Sequence, residues 1–201
     1  MAPRPPAPRR SDLAEDLIGR AAAARTHWSA PAHQRPPDTD DLALEHQQEV
    51  SNARALRRIV AAYNRWPGRS LVGADGCQAA TEIALHTDHD PAFQRLLLRL
   101  LGAAVEQNEA TPAQWAHLHD RCLARTGEPQ LFGTQHWYRP DGRIEVHTID
   151  DEGELDARRA SVGLPPFAEQ ARHLRDHHLP PPPLSTSPAT ETVCADERRA
   201  A

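Results

Sequence analysis

Apolar residues recur every three or four positions over most of the chain, and the most regular stripe runs from Phe93 to Val105. This spacing puts them on one face of a helix with 3.6 residues per turn, so the stripe predicts an amphipathic α-helix that packs against other helices. Weaker stripes of the same period predict further helices. The predicted helices cover residues 11–25, residues 41–63, a segment from residue 75, a segment from residue 91, residues 112–127 and residues 165–178.

Residues with capping chemistry mark several of these helix boundaries. Asp90 stands before Pro91, so a side-chain acceptor for free amides precedes a proline that fits the first helical turn. Thr111 has the same place before the fifth predicted helix. Asp75 and Gln78 have the spacing of a capping box, and they predict that Asp75 caps the third helix.

The period changes after the fifth predicted helix. Residues 131–138 and 143–149 are rich in aromatic and β-branched residues, and they flank the turn-forming sequence Pro140-Asp141-Gly142. This pattern indicates a β-hairpin. The predicted fold class is therefore mainly α, a helical bundle of about five to six helices with a small β-hairpin appended.

Composition indicates one folded domain between two tails. A length of 201 residues fits a single domain, and the mean hydropathy of −0.67 indicates that part of the chain does not fold. Residues 1–10 and 179–201 are rich in proline and in polar residues, and they contain too little apolar surface to offset the entropy lost on ordering. We therefore expect a domain over residues 11–178 and disordered tails on both sides.

Charge and cysteine content exclude several classes of protein. A net charge of −5 argues against a nucleic-acid binder, which usually has a basic face. Apolar runs of membrane-spanning length are missing from the sequence, as is the core of a signal peptide, so we expect no membrane partner. Cys77, Cys122 and Cys194 are odd in number and far apart, which indicates a reducing, cytoplasmic location.

The segment from Asp120 to Gln135 is the first candidate for a site. Strand alternation would place Gln135 on the same face as Leu131 and Trp137, and an amide on an apolar face must be hydrogen-bonded or lose on the order of a few kcal/mol through desolvation. Gly133, beside it, permits a backbone conformation or a close approach that other residues would block. A buried polar network between helix and hairpin and a functional site explain these residues equally well.

The second candidate is the run from His86 to Asp90. His and Asp at this density are typical of a metal site or of a base with its orienting carboxylate. Asp90 already has a role as a helix cap, and His89 has an alternative as a solvated side chain. An adjacent His-Asp pair also occurs in metal phosphohydrolases of the HD type, where His46 and Asp120 would have to complete the site.

The third candidate is the pairing of Asp150-Asp151 with Arg158-Arg159. Charges at helical spacing usually form a solvated, salt-bridged face. An arginine directed inward would instead offer a bidentate contact to a carboxylate or phosphate.

Four blocks of residues, in a consistent order along the chain, carry a resemblance to a known family. The blocks are Trp66-Pro67-Gly68-Arg69-Ser70-Leu71-Val72-Gly73, then His86, Asp90 and Phe93-Gln94, then Leu118, Asp120-Arg121, Gly127 and Pro129-Gln130-Leu131-Phe132-Gly133-Thr134-Gln135, then Ile149, Asp151, Asp156, Arg158-Arg159 and Val162-Gly163-Leu164. They resemble the DUF6624 family, a bacterial domain family of unknown function. The resemblance spans about residues 41 to 175.

The resemblance implies a polar set of site residues. The set comprises His86, Asp90, Gln94, Asp120, Arg121, Gln130, Gly133, Thr134, Gln135, Asp151 and Arg159. It leaves out His89, which counts against the HD-type hypothesis. The chain departs from the family pattern at Arg65, Leu85 and Gln170, where the family often has Gly, Gln and Tyr. If those positions contact a ligand, this member is altered in specificity or inactive.

The leading hypothesis is an enzyme, or a decayed enzyme, that acts on a small polar or anionic substrate by general acid–base chemistry. His86 would transfer the proton, and Asp90 or Asp120 would orient it. The expected substrate-binding residues are Gln94, Arg121, Gln130, Thr134, Gln135, Asp151 and Arg159. The alternatives are a non-catalytic module for small-molecule binding or regulation and a metal-dependent hydrolase. The residues indicate neither a cofactor nor an oligomeric state.

Overall fold

The computed structural model describes residues 8–28, 39–138 and 144–178. The described chain contains seven α-helices and one two-stranded antiparallel sheet, so the predicted mainly α fold with an appended hairpin is confirmed. The elements are α1 (Ser11–Trp28), α2 (Thr39–Tyr63), α3 (Arg69–Leu85), α4 (Pro91–Glu106), α5 (Pro112–Thr126), β1 (His136–Tyr138), β2 (Ile144–Val146), a short 3-10 turn (Glu152–Glu154), α6 (Leu155–Ser161) and α7 (Phe167–His178). The described chain has one helix more than the predicted five to six, because α6 was not predicted.

The core is formed by the first five helices. Leu17 of α1, Leu56 of α2 and Leu118 of α5 are fully buried in one apolar cluster. The α4 stripe contributes Phe93, Leu97 and Leu101 to this cluster, and its other leucines pack against it. Close packing of α1 on α3 depends on a small residue: a Cβ atom added at Gly76 would lie 3.3 Å from Ala14 Cα. Apolar burial of this kind is the main force that holds such helices together.

Two predicted helix caps are confirmed in atomic detail. The Asp90 carboxylate accepts a hydrogen bond from the amide of Phe93 at 3.0 Å, with Pro91 in the first turn of α4. Thr111 and Gln114 form a reciprocal capping box at the start of α5. Both caps supply acceptors for amides that have no partner inside the helix.

The predicted start of the third helix is wrong. Helix α3 begins at Arg69, and Gly68 rather than Asp75 is its N-cap residue. The helix is broken at Gly73, where the backbone has φ 75° and ψ 174°. Glycine adopts this conformation without steric cost, so Gly73 permits a kink, and the helix begins seven residues earlier than a cap at Asp75 predicts.

The first predicted strand is also shorter in the structure. Residues 131–135 form a loop, and only His136–Tyr138 pairs with Ile144–Val146. Gln135 is buried as expected, but Trp137 is 56% exposed, so the two do not share a buried face. The residues between the strands, including the predicted turn at Pro140-Asp141-Gly142, lie outside the described part of the chain.

The tails predicted at residues 1–10 and 179–201 lie largely outside the described residues. The described part of the N-terminal segment is bound to α3: the amides of Arg9 and Arg10 donate to the carbonyls of Ser70 and Leu71 at 3.2 and 2.9 Å. None of the helices in the described ranges has the length and apolar character needed to cross a membrane.

Candidate functional site

Asp120 is fully buried near the end of α5, and its carboxylate binds the loop that follows that helix. It accepts hydrogen bonds from the amides of Leu131, Phe132 and Thr134 at 2.9, 3.1 and 3.0 Å, and from the Thr134 hydroxyl at 3.0 Å. Burial by itself raises the pKa of Asp120, but hydrogen bonds, including those from these amides, outweigh it and lower the pKa below its ordinary value. Asp120 is therefore a charged anchor for the loop.

Gln130 is fully buried and joins the two ends of the same loop to the second strand. Its side-chain oxygen accepts from the Gln135 amide at 2.8 Å, and its side-chain nitrogen donates to the carbonyls of Gln135 and His147 at 3.1 and 2.8 Å. Its backbone pairs with Thr148 and Asp150, each at 2.9 Å. The amide therefore supplies the contacts that a regular strand would have made here.

Arg159 on α6 is the largest fully buried side chain among the described residues, and it binds the same loop as Asp120. Its guanidinium donates to the carbonyls of Phe132 and Pro165 at 2.5 and 2.7 Å and to the Gln170 side chain at 2.5 Å. Burial lowers the pKa of Arg159, and the nearby charges of Asp156 and Asp120 oppose this effect. The guanidinium thus connects the loop to α7.

Arg121 is the next residue after the buried anchor, but its side chain remains 28% exposed. Its guanidinium makes a bidentate contact to the carboxylate of Asp88, with Nε at 3.1 Å from Oδ1. A third donor, Nη1, lies 3.4 Å from the side-chain oxygen of Gln135. Asp88 is in turn held by Gln94, whose amide donates to it at 3.1 Å.

The sequence pattern did not identify Asp88 as a site residue, although Asp88 lies inside the run from His86 to Asp90. Asp88 receives Arg121, Gln94 and, at 3.8 Å, Arg125. This pairing cannot be recognised from local spacing, because Asp88 precedes α4 whereas both arginines are on α5, more than 30 residues later. The observable signal was the density of charged residues between α3 and α4.

His86 lies at the end of α3 beside a carboxylate that was not predicted. Its Nδ1 is 3.7 Å from Glu49 Oε1 on α2, and both side chains are 29% exposed. Asp90 caps α4 and also accepts from Arg57 Nη2 at 2.5 Å. Asp90 and Asp120, the two carboxylates that were expected to orient His86, thus accept hydrogen bonds from other donors. The proton-transfer role of His86 stays a prediction.

The remaining predicted residues are placed as follows. Asp151 is exposed, and its backbone carbonyl accepts from Arg158 at 2.9 Å. Gly133 has φ 61°, and a Cβ atom there would lie 3.1 Å from the Phe167 ring. Thr134 is buried against Asp120, and its hydroxyl also accepts from the Gln135 amide group at 3.1 Å.

The three positions of departure from the family pattern have separate roles. Gln170 is the acceptor for Arg159 described above. Leu85 packs against the core, and its carbonyl accepts from Gln94 at 3.4 Å. Arg65 contributes its charge to Glu109, whose pKa is raised by burial but lowered on balance by hydrogen bonds to Ser70 and by this charge.

The β1–β2 hairpin and the residue after it provide two further side chains that were not predicted as site residues. The rings of Trp137 and His147 are stacked, with centroids 4.1 Å apart and an interplanar angle of 23°. The His147 amide donates to the Gln135 carbonyl at 3.3 Å, which places the stack beside the Arg121 contact. Burial, and then the charge of Arg121, lower the pKa of His147.

A cavity of about 250 Å³ lies between α4 and α5. Gln94, His119, Cys122 and Arg125 are among its lining residues, so it adjoins the cluster around Asp88. Within the described ranges no group of three His, Cys, Asp or Glu side chains is arranged to hold a metal ion.

Comparison with known proteins adds one finding. The model of DUF6624, a family of unknown function, matches residues 16–179, which is most of the chain. No curated protein and no solved structure matches the sequence.

Proposed function

The chain belongs to the DUF6624 family of unknown function, and we propose that it binds a small anionic molecule at Arg121 and acts on it by general acid–base chemistry through His86. One observation carries the proposal: a partly exposed guanidinium is held in a fixed orientation by Asp88 and Gln135. A group that is already ordered loses little entropy on binding, and a guanidinium suits carboxylates and phosphates.

The charges around Arg121 favour an anion. Arg121 and Arg125 share the single carboxylate of Asp88, so this group of three side chains carries one net positive charge. A small anion would complete the pairing of the second arginine.

The position of His86 supports an acid–base role. Imidazole is the side chain suited to proton transfer near neutral pH, and an adjacent carboxylate can orient it. In this proposal Glu49 takes the orienting role that the sequence assigned to Asp90 or Asp120. His86 is two residues from Asp88, so the proton-transfer group and the anion-binding group are supported by the same loop.

The buried residues have a supporting role in the proposal. Asp120, Gln130 and Arg159 fix the loop, and the loop presents Gln135 to Arg121. We assign Gln94 to holding Asp88, and Asp90 to holding the start of α4. The proposal also includes a reducing, cytoplasmic location, with which the free thiols of Cys77 and Cys122 are compatible.

A thermal-shift screen with a matched pair of variants tests the proposal. Inorganic phosphate, nucleotides, sugar phosphates and amino acids are added to the wild type, to Arg121→Gln and to Arg99→Gln, an exposed arginine on α4. We expect an anion to raise the melting temperature of the wild type and of Arg99→Gln. The affinity should fall at least about tenfold in Arg121→Gln, as expected for one lost charge-assisted contact.

The role of His86 is tested with the ligand found in that screen. His86→Gln should bind it within about threefold of the wild type but lose its conversion, followed by mass spectrometry, since the imidazole acts on the reaction rather than on binding. Recovery of the ligand unchanged from the wild type would support the non-catalytic module instead. If Arg121→Gln lowers the melting temperature and no anion binds the wild type, the cluster is structural and the proposal is wrong.

A further inference from the structure

Trp137 in β1 is a large apolar side chain that is 56% exposed to solvent. One face of its ring system lies on the imidazole of His147, at a centroid distance of 4.1 Å. The stacking restricts the rotation of the indole and holds it in one orientation. An ordered and exposed indole has a flat π surface that a ligand ring can stack on.

The strand register places Trp137 and His147 on one face of the β1–β2 hairpin. Trp137 is paired with Glu145, and His147 follows Glu145 by two residues, so these side chains share a face. The hydrogen bond from the His147 amide to the Gln135 carbonyl extends the same pairing by one step. Gln135 therefore lies opposite His147 and two residues before Trp137.

The side chain of Gln135 connects this face to the guanidinium. Its oxygen lies 3.4 Å from Arg121 Nη1, and the Arg121 charge acts on His147. Two residues along a strand span roughly 6.6 Å. The aromatic platform is therefore close along the chain to the residue that contacts the anion-binding group.

We infer that the ligand of this site is a nucleoside monophosphate, with its phosphate at Arg121 and its base stacked on Trp137. The inference rests on the proposed function, because it uses the same anion-binding arginine. It adds the class of ligand: a phosphate that carries a flat heteroaromatic ring. A free nucleotide fits better than a nucleic acid, because a chain with a net charge of −5 repels a polyanion.

Binding by isothermal titration calorimetry to the full-length protein tests the inference. The probes are AMP, GMP, CMP and UMP, with ribose 5-phosphate and inorganic phosphate as probes that lack the base, and phenylacetate as an aryl carboxylate. The variants are Trp137→Ala, Trp137→Phe and the control Leu44→Ala, which removes an equally exposed apolar side chain from α2.

We expect at least one nucleotide to bind at least about tenfold more tightly than ribose 5-phosphate, the factor typical of one stacked base. Trp137→Ala should remove this advantage and leave the affinity for ribose 5-phosphate within about twofold. Trp137→Phe should restore most of it, and Leu44→Ala should change nothing. Circular dichroism melting curves check that the substitutions of Trp137 leave the fold intact.

The outcomes separate the inference from the function on which it rests. If ribose 5-phosphate binds as tightly as all four nucleotides, and Trp137→Ala has no effect, the nucleotide inference is wrong and the anion site stands. If an aryl carboxylate such as phenylacetate binds better than every nucleotide, the ligand class is wrong. If none of the phosphates binds, both the inference and the proposed function fail.

Discussion

Asp120, Gln130 and Arg159 are polar side chains without exposed surface, and at each of them most of the hydrogen bonds go to main-chain atoms. A buried charge or amide is stable only when its hydrogen-bonding groups are satisfied, and these three are satisfied by one loop and its neighbours. Their first task is therefore to hold the backbone. Arg121 and His86, two other predicted site residues, remain partly exposed to solvent.

The variant Asp120→Asn tests the anchoring role. An asparagine amide nitrogen cannot accept hydrogen bonds, so some of the amides of the loop would lose their partner inside the protein. We expect the free energy of unfolding to fall by about 2–4 kcal/mol, measured by urea denaturation. Asp150→Asn, at an exposed position, should change it by less than about 0.5 kcal/mol.

The same pair of variants has a predicted pH dependence. The folded protein holds the pKa of Asp120 below its ordinary value, so the unfolded chain takes up this proton first as the pH falls. The stabilisation by Asp120 should be complete above about pH 5 and should diminish as the pH falls towards the lowered pKa. A difference between wild type and Asp120→Asn that stays constant down to pH 3 would contradict this account.

At the scale of elements, the loop between α5 and β1 overrides a local strand preference. Residues 131–135 have the composition of a strand, yet the Asp120 carboxylate takes up three of the amides that a strand would have offered to its neighbour. Gly133 adopts φ 61°, which no regular strand contains. Tertiary contacts therefore decide the conformation of this segment.

Substitution of Gly133 tests how tightly the loop is packed. A Cβ atom at this position would lie 3.1 Å from two ring carbons of Phe167 and 3.3 Å from Ile149 Cδ1, and the positive φ adds strain. Gly127, which ends α5 with φ 76°, has nothing within 4 Å of its Cβ position and provides a matched control. We expect Gly133→Ala to cost about 2–3 kcal/mol and Gly127→Ala about 1 kcal/mol, by urea denaturation. Equal costs would mean that Phe167 does not press on the loop.

At the scale of the whole molecule, several histidines are held neutral around the site. Burial lowers the pKa of His136 to about 4; a backbone hydrogen bond to Thr134 opposes the shift, and the charge of Arg159 adds to it. Burial also lowers the pKa of His117, and the Asp120 charge opposes that shift. The Nε2 atom of His136 is buried and has no hydrogen-bond partner within the described part of the chain, so a proton there would be unfavourable.

Acid should therefore destabilise the protein before its carboxylates titrate. In the unfolded chain a histidine binds its proton near pH 6.5, whereas folded His136 stays neutral to about pH 4, so below pH 6.5 the unfolded state binds more protons. The free energy of unfolding should fall by up to about 1.4 kcal/mol per pH unit for each such histidine. His136→Gln should reduce this slope between pH 6 and pH 5 by about 1 kcal/mol per unit, in urea denaturation series at each pH. An unchanged slope in His136→Gln would contradict the explanation.

Much of the helical part of the fold could be predicted from local patterns. The α4 stripe, the Asp90 cap and the capping box of Thr111 and Gln114 act within a few residues of one another, so the sequence displays them directly. The start of α3 could not be predicted, because the kink at Gly73 depends on how the chain packs. The helix α6 was missed because seven residues are too few to show a period.

The sequence by itself determined the helical class, the hairpin, and the fact that the segment from Asp120 to Gln135 contains buried polar chemistry. Only the tertiary structure decided what each of these residues contacts. In the folded chain Asp120 binds the loop amides, Asp88 pairs with Arg121, and Glu49 lies beside His86. The physical reason is range: a cap or an apolar stripe is a local interaction, whereas these pairs join residues about 10 to 40 positions apart that meet only after the helices have packed.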